Sequence, residues 1–78
     1  MKIKDMEVGQ TAEVSGYVTS TDTEYRQKLL RMGMVRGAQF TLIRKAPLGD
    51  PVEINLKGFN LTLRANEANV LDVDCVDQ

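Results

Sequence analysis

The stretch from Val52 to Arg64, VEINLKGFNLTLR, constrains this chain most, because its apolar residues alternate strictly on both sides of one Lys-Gly step. Val52, Ile54 and Leu56 point one way and Glu53, Asn55 and Lys57 the other; Phe59, Leu61 and Leu63 then repeat the pattern against Asn60, Thr62 and Arg64. Period two is the signature of a half-buried strand. Two such runs joined by Lys57-Gly58 form a hairpin, with Gly58 supplying the positive φ that a short turn demands. The same alternation predicts strands in QFTLIRK, with Phe40 and Leu42 inward, and in TAEVSGYV, with Ala12, Val14 and Val18 inward and Gly16 as a bend. NVLDVDCV predicts the last strand, with Leu71, Val73 and Cys75 on one face.

One helix interrupts the strands, over about residues 22–32. Thr21 followed by Glu24 forms a capping-box pattern, with Asp22 and Thr23 as alternative caps. Tyr25, Leu29 and Met32 recur at helical spacing with Leu30 beside them, and Arg26, Lys28 and Arg31 ride on the solvent side. Gly33 ends the helix as a left-handed cap, an arrangement that folds Met34 back onto Leu29. RANEA, at 64–68, reads as a short helical turn before the last strand. Five short antiparallel strands in 78 residues curl into a small barrel, because closure removes exposed edges. An oligonucleotide-binding barrel and an SH3-like barrel both fit; the helical turn before the last strand favours the SH3-like form. The expected fold is therefore mainly β, a single domain spanning 1–78.

The only two prolines, Pro47 and Pro51, bracket Leu48, Gly49 and Asp50. Each fixes its own φ and pushes its predecessor toward extended backbone, while Gly49 permits a reversal and Asp50 bonds nearby N–H groups. This stiff turn carries Leu48 at its tip, where the alternation leaves no core position for it. Leu48 either folds under as a plug for the barrel's end or projects as an ordered apolar knob for a partner.

Charge is distributed unevenly. From Tyr25 to Lys45 every charge is positive: Arg26, Lys28, Arg31, Arg36, Arg44 and Lys45. After Arg64 every charge is negative: Glu67, Asp72, Asp74 and Asp77. These are either solvated faces or a basic face for an acidic partner or an anionic membrane surface. The net charge of −1 gives no bulk pull toward nucleic acid. The N-terminal MKIKDMEVGQ lacks the apolar core of a signal peptide and no run suits a bilayer, which points to the cytosol. A single cysteine fits a reducing compartment.

The residues YRQKLLRMGMVRGAQF, then KAPLGDPVEI, then KGF with LTLRANEA, closely resemble the FeoA family of ferrous iron transport proteins. The resemblance runs from about Tyr25 to Ala68, with Ala46 to Pro51 as its most specific part. It touches Leu29, Leu30, Met32, Gly33 and Gly37 at the helix and its exit, then Gly58, Leu63, Arg64, Glu67 and Ala68. Most are turn or packing positions, so the pattern marks a fold more than a surface. The resemblance implies an SH3-like barrel with an inserted helix, serving as a small cytosolic partner of the membrane transporter FeoB. It also touches metal-dependent repressors, whose helix-turn-helix region this chain lacks.

The first expectation is therefore an interaction module for ferrous iron uptake. Its contact residues are Arg26, Arg31, Met34 and Arg36 on the basic stretch, with Leu48, Gly49 and Asp50 on the turn. A knob at Leu48 and a groove on the barrel's side would also let copies pair. An iron carrier or sensor is the second reading, and it finds few ligands: no His, Cys75 expected in the core, and only Asp72 and Asp74 as neighbouring carboxylates. No cofactor or metal site is assigned. A nucleic-acid-binding barrel is the third, weakened by placing Phe40 and Phe59 inward and leaving only Tyr17 and Tyr25 for stacking. No nucleophile–base pair or phosphate-cradling loop suggests an enzyme.

Overall fold

The computed structural model describes residues 1–18 and 23–76. A 3-10 turn at Ile3–Asp5 leads into β1 (Thr11–Tyr17), α1 (Thr23–Arg31), β2 (Gln39–Lys45), β3 (Val52–Leu56), β4 (Phe59–Leu63), α2 (Ala65–Ala68) and β5 (Leu71–Cys75). One antiparallel sheet has the order β4-β3-β2-β1-β5, so α2 joins its two outermost strands in sequence. The expected N-caps of α1, Thr21 and Asp22, and the acidic Asp77 lie outside the described residues.

The β3–β4 hairpin follows its sequence pattern. Leu56 faces Phe59, and the turn residues Lys57 and Gly58 have φ of 52° and 88°, the pair of positive values that matches the twist of the strands. Gly16 sits where the β1–β5 register shifts, so the expected bend is a bulge. α1 ends as its sequence requires: Gly33 has φ 97°, and the Met34 N–H reaches the Leu29 carbonyl at 3.0 Å. Leu29 and Met34 are both fully buried.

The core is one cluster in which Phe40, Leu42, Ile54, Leu63, Leu71 and Val73 from the sheet meet Leu29 and Met34. Ile3 and Met6 belong to it too, although the N-terminal segment shows no periodic pattern. Backbone bonds clamp that segment down: the Val73 N–H donates to the Met1 carbonyl and the Gly9 N–H to the Leu42 carbonyl. Lys2 Nζ also meets Asp72 at 2.7 Å, and this bond holds the Asp72 carboxyl below its usual range.

Four expected core positions differ. Phe59 is 72% exposed and Leu61 only half-buried, leaving Leu63 as the buried residue of β4. Phe59 directly follows the turn on the outermost strand β4, which has a neighbour on one side only. Cys75 is exposed at the end of the other outermost strand, β5; its Sγ lies 3.9 Å from Met1 Sδ. Val18 is half-buried. Among the described residues no helix is long and apolar enough to cross a membrane.

Candidate functional site

The proline-bracketed turn is a fixed projection. The Gly49 N–H donates to the Ala46 carbonyl at 2.7 Å, and the Ala46 N–H to the Pro51 carbonyl at 3.0 Å. Gly49 has φ 82°, which a residue with a side chain adopts only at a cost, and the Asp50–Pro51 peptide is cis. Asp50 Oδ1 accepts the N–H of Ala65, the first residue of α2, at 2.8 Å. That bond satisfies a helix-terminal donor and ties the turn to the body of the domain. Leu48 stands at the tip, 96% exposed, so it is not a plug for the barrel's end. Beneath it lies a depression of about 230 Å³ between the turn and α2, lined by Lys4, Val52, Ala65 and Asn69.

The basic stretch divides by partner. Lys28, expected on the solvent side, pairs with the buried Glu67 of α2. The Lys28 bond, aided by the Arg64 N–H on the other carboxylate oxygen, outweighs burial and holds the Glu67 carboxyl below its usual range. Arg44 faces Glu53 at 3.5 Å, and Lys45 Nζ donates to the Lys4 carbonyl at 3.0 Å. Among the described residues Arg26, Arg31 and Arg36 have no carboxylate partner.

Arg26 and Arg36 come together although they belong to different segments. With Gly16, Tyr17 and Leu30 they line a groove of about 450 Å³. The Arg26 guanidinium lies over the Tyr17 ring, 5.7 Å from its centroid. Arg36 Nε donates to the Ser15 carbonyl at 3.0 Å. Tyr17 is held in turn, its hydroxyl donating to the Met34 carbonyl at 2.6 Å. Burial raises the Tyr17 phenol, and Arg26 opposes the rise. Arg31 is exposed on α1 but does not line this groove.

Met34 is a correction. It is fully buried, because the helix-ending turn at Gly33 folds its side chain onto Leu29, so it meets no partner directly. Apart from Arg31, which lines neither, the remaining expected contact residues fall into two places that share no lining residue: the Arg26–Arg36 groove, and the turn with Leu48, Gly49 and Asp50. Sequence reasoning missed a third feature, an apolar groove of about 420 Å³ formed by Met32, Gly33, Leu56, Phe59 and Leu61. Its one available signal was the position of Phe59 directly after the hairpin turn. A single exposed Phe beside Lys57 is not the aromatic series that stacks nucleic-acid bases. Among the described residues no three His, Cys, Asp or Glu side chains gather where they would hold a metal.

Residues 1–75 match the family model described as the FeoA domain. The chain is 35% identical over 52 residues, 67% of its length, to the Fe(2+) transport protein A/Fe(2+) transporter FeoB fusion protein of Porphyromonas gingivalis, and covers 6% of that fusion. The FeoA protein of Chlorobium tepidum is 39% identical and superposes with a TM-score of 0.87 over 99% of this chain and 71% of that one. The FeoA of Stenotrophomonas maltophilia, described as a prokaryotic SH3 domain protein, shares the fold at 22% identity, with a TM-score of 0.80 over 95% of this chain and 89% of that one.

Proposed function

The chain belongs to the FeoA domain family, with an SH3-like fold, and on that premise we propose that it is a small cytosolic accessory protein of ferrous iron uptake. It acts by docking on the cytosolic, GTP-binding part of a FeoB-type transporter. Support for that partner comes from the Porphyromonas gingivalis relative, in which the two proteins form one chain. Covalent fusion raises the effective concentration of one module for the other, which is useful where the two associate.

The observation that carries the docking role is Leu48. A leucine 96% exposed on a turn whose backbone is tied at both ends offers apolar area with little further backbone ordering on binding. Covering such a side chain contributes about 1.5–3 kcal/mol. The basic face supplies the second contact: Arg26, Arg31 and Arg36 have no carboxylate of their own among the described residues and complement an acidic surface. Gly49 and Asp50 belong to the site through the turn they hold.

A pull-down of the transporter's cytosolic part tests this role. The wild-type chain retains it, and Leu48→Ala combined with Arg31→Glu retains far less. Equal retention by the variant removes this surface from the docking site, and no retention by the wild type removes the role.

A further inference from the structure

The geometry points to the groove of Gly16, Tyr17, Arg26, Leu30 and Arg36 as a receptor for carboxylate side chains on an extended acidic segment of the partner protein. The inference rests on the docking role above and specifies the chemistry of one of its two contact surfaces.

Two guanidiniums share this groove, one from α1 and one from the loop leading to β2. The domain neutralises other cations of the same stretch, Lys28 with Glu67 and Arg44 with Glu53, yet among the described residues neither Arg26 nor Arg36 meets a carboxylate. Neighbouring like charges repel until an anion joins them, so the groove complements negative charge.

Both arginines are also positioned. Arg26 rests over the Tyr17 ring, and Tyr17 is fixed through its bond to the Met34 carbonyl. Arg36 uses Nε to bond Ser15, which leaves its two terminal amino groups to meet a carboxylate end-on, as a planar fork. One of those groups lies beside Gly16, 3.5 Å from where a Cβ would stand on it.

A protein carboxylate fits this setting better than a phosphate. Guanidiniums bind carboxylate and phosphate alike, so the choice rests on the apolar wall beside them rather than on the arginines. The chain's net charge of −1 exerts no long-range pull on a polyanion. Leu30, 39% exposed in the groove wall, adds apolar contact of the kind a polypeptide makes and a free anion does not.

Nuclear magnetic resonance titration of the full chain tests the chemistry. A capped Glu-Leu-Glu-Leu-Glu peptide shifts the amides of Gly16, Tyr17, Leu30 and Arg36 saturably, and its glutamine counterpart does not. The response disappears in the Arg26→Gln/Arg36→Gln variant, whose dispersed spectrum verifies folding. No saturable shift with the acidic peptide overturns the proposal. So does saturation by inorganic phosphate, GTP or phosphatidylglycerol vesicles at matched ionic strength that equals or exceeds that of the peptide.

A separate arm measures binding to the cytosolic part of a FeoB-type transporter. Arg26→Glu/Arg36→Glu lowers affinity at least about tenfold, and the corresponding lysine variant falls between it and the wild type. Unchanged binding by the charge-reversed chain overturns the groove assignment while leaving the docking role standing. Absence of wild-type binding overturns the docking role, and the peptide titration then decides the groove by itself.

Discussion

Asp50 reaches across 15 positions in the sequence to accept the Ala65 N–H at 2.8 Å, joining the turn that bears Leu48 to the first residue of α2. One carboxylate thereby caps a helix and steadies the projection beside it. Asp50→Ala is expected to lower stability by about 1 kcal/mol, the usual value of a lost helix cap. It also raises amide exchange at Leu48 and Gly49. Asp50→Asn keeps an acceptor oxygen and retains most of both. Hydrogen exchange and denaturant melts on the two variants check this; equal exchange in wild type and Asp50→Ala would show that the prolines alone hold the turn.

Gly33 is required by backbone geometry and by space. Its φ is 97°, and a Cβ there would approach Leu56 Cδ2 at 3.2 Å. Gly33→Ala is expected to cost at least about 1–2 kcal/mol, and it loosens Met34 because the same turn delivers that side chain to the core. Thermal denaturation reads the loss, at about 4–8 °C for each kcal/mol in a domain of this size.

The Lys28–Glu67 pair sets an acid limit on stability. The Glu67 carboxyl titrates below its ordinary value of 4.5, so the folded form favours the ionised state. Its contribution is fully present above the unfolded value and is lost as pH falls through the lower folded value. Glu67→Gln is therefore expected to melt below the wild type at neutral pH by about 1–3 kcal/mol. The gap narrows below pH 4.5 and closes once Glu67 is protonated in both states. A gap that stays constant with pH would assign the loss to packing.

The legible parts of this fold were those written in local patterns. The β3–β4 hairpin, the bulge at Gly16 and the Gly33 helix end each follow from alternation or from one glycine whose backbone role is set locally. Ile3 and Met6 were hidden because they enter the core from a non-periodic segment held by β5 and β2. Phe59 and Cys75 obey the alternation of their strands but lie on the two outermost strands, and period two does not say which strands end up at the edges. At the candidate site the proline spacing located the Leu48 turn. The grouping of Arg26 with Arg36, and the engagement of Lys28 by Glu67, depend on tertiary contacts across 10 and 39 positions and leave no mark in the local sequence.

Leu48 is the residue on which the account depends most. Because its side chain touches so little of its own domain, Leu48→Ala is expected to leave stability within about 0.5 kcal/mol of the wild type. Calorimetric titration of the cytosolic part of a FeoB-type transporter with the wild-type and Leu48→Ala chains is the most direct measurement. Saturable wild-type binding that weakens about tenfold or more in an equally stable variant is the predicted result. Identical isotherms from the two chains, or no binding by either, would contradict it.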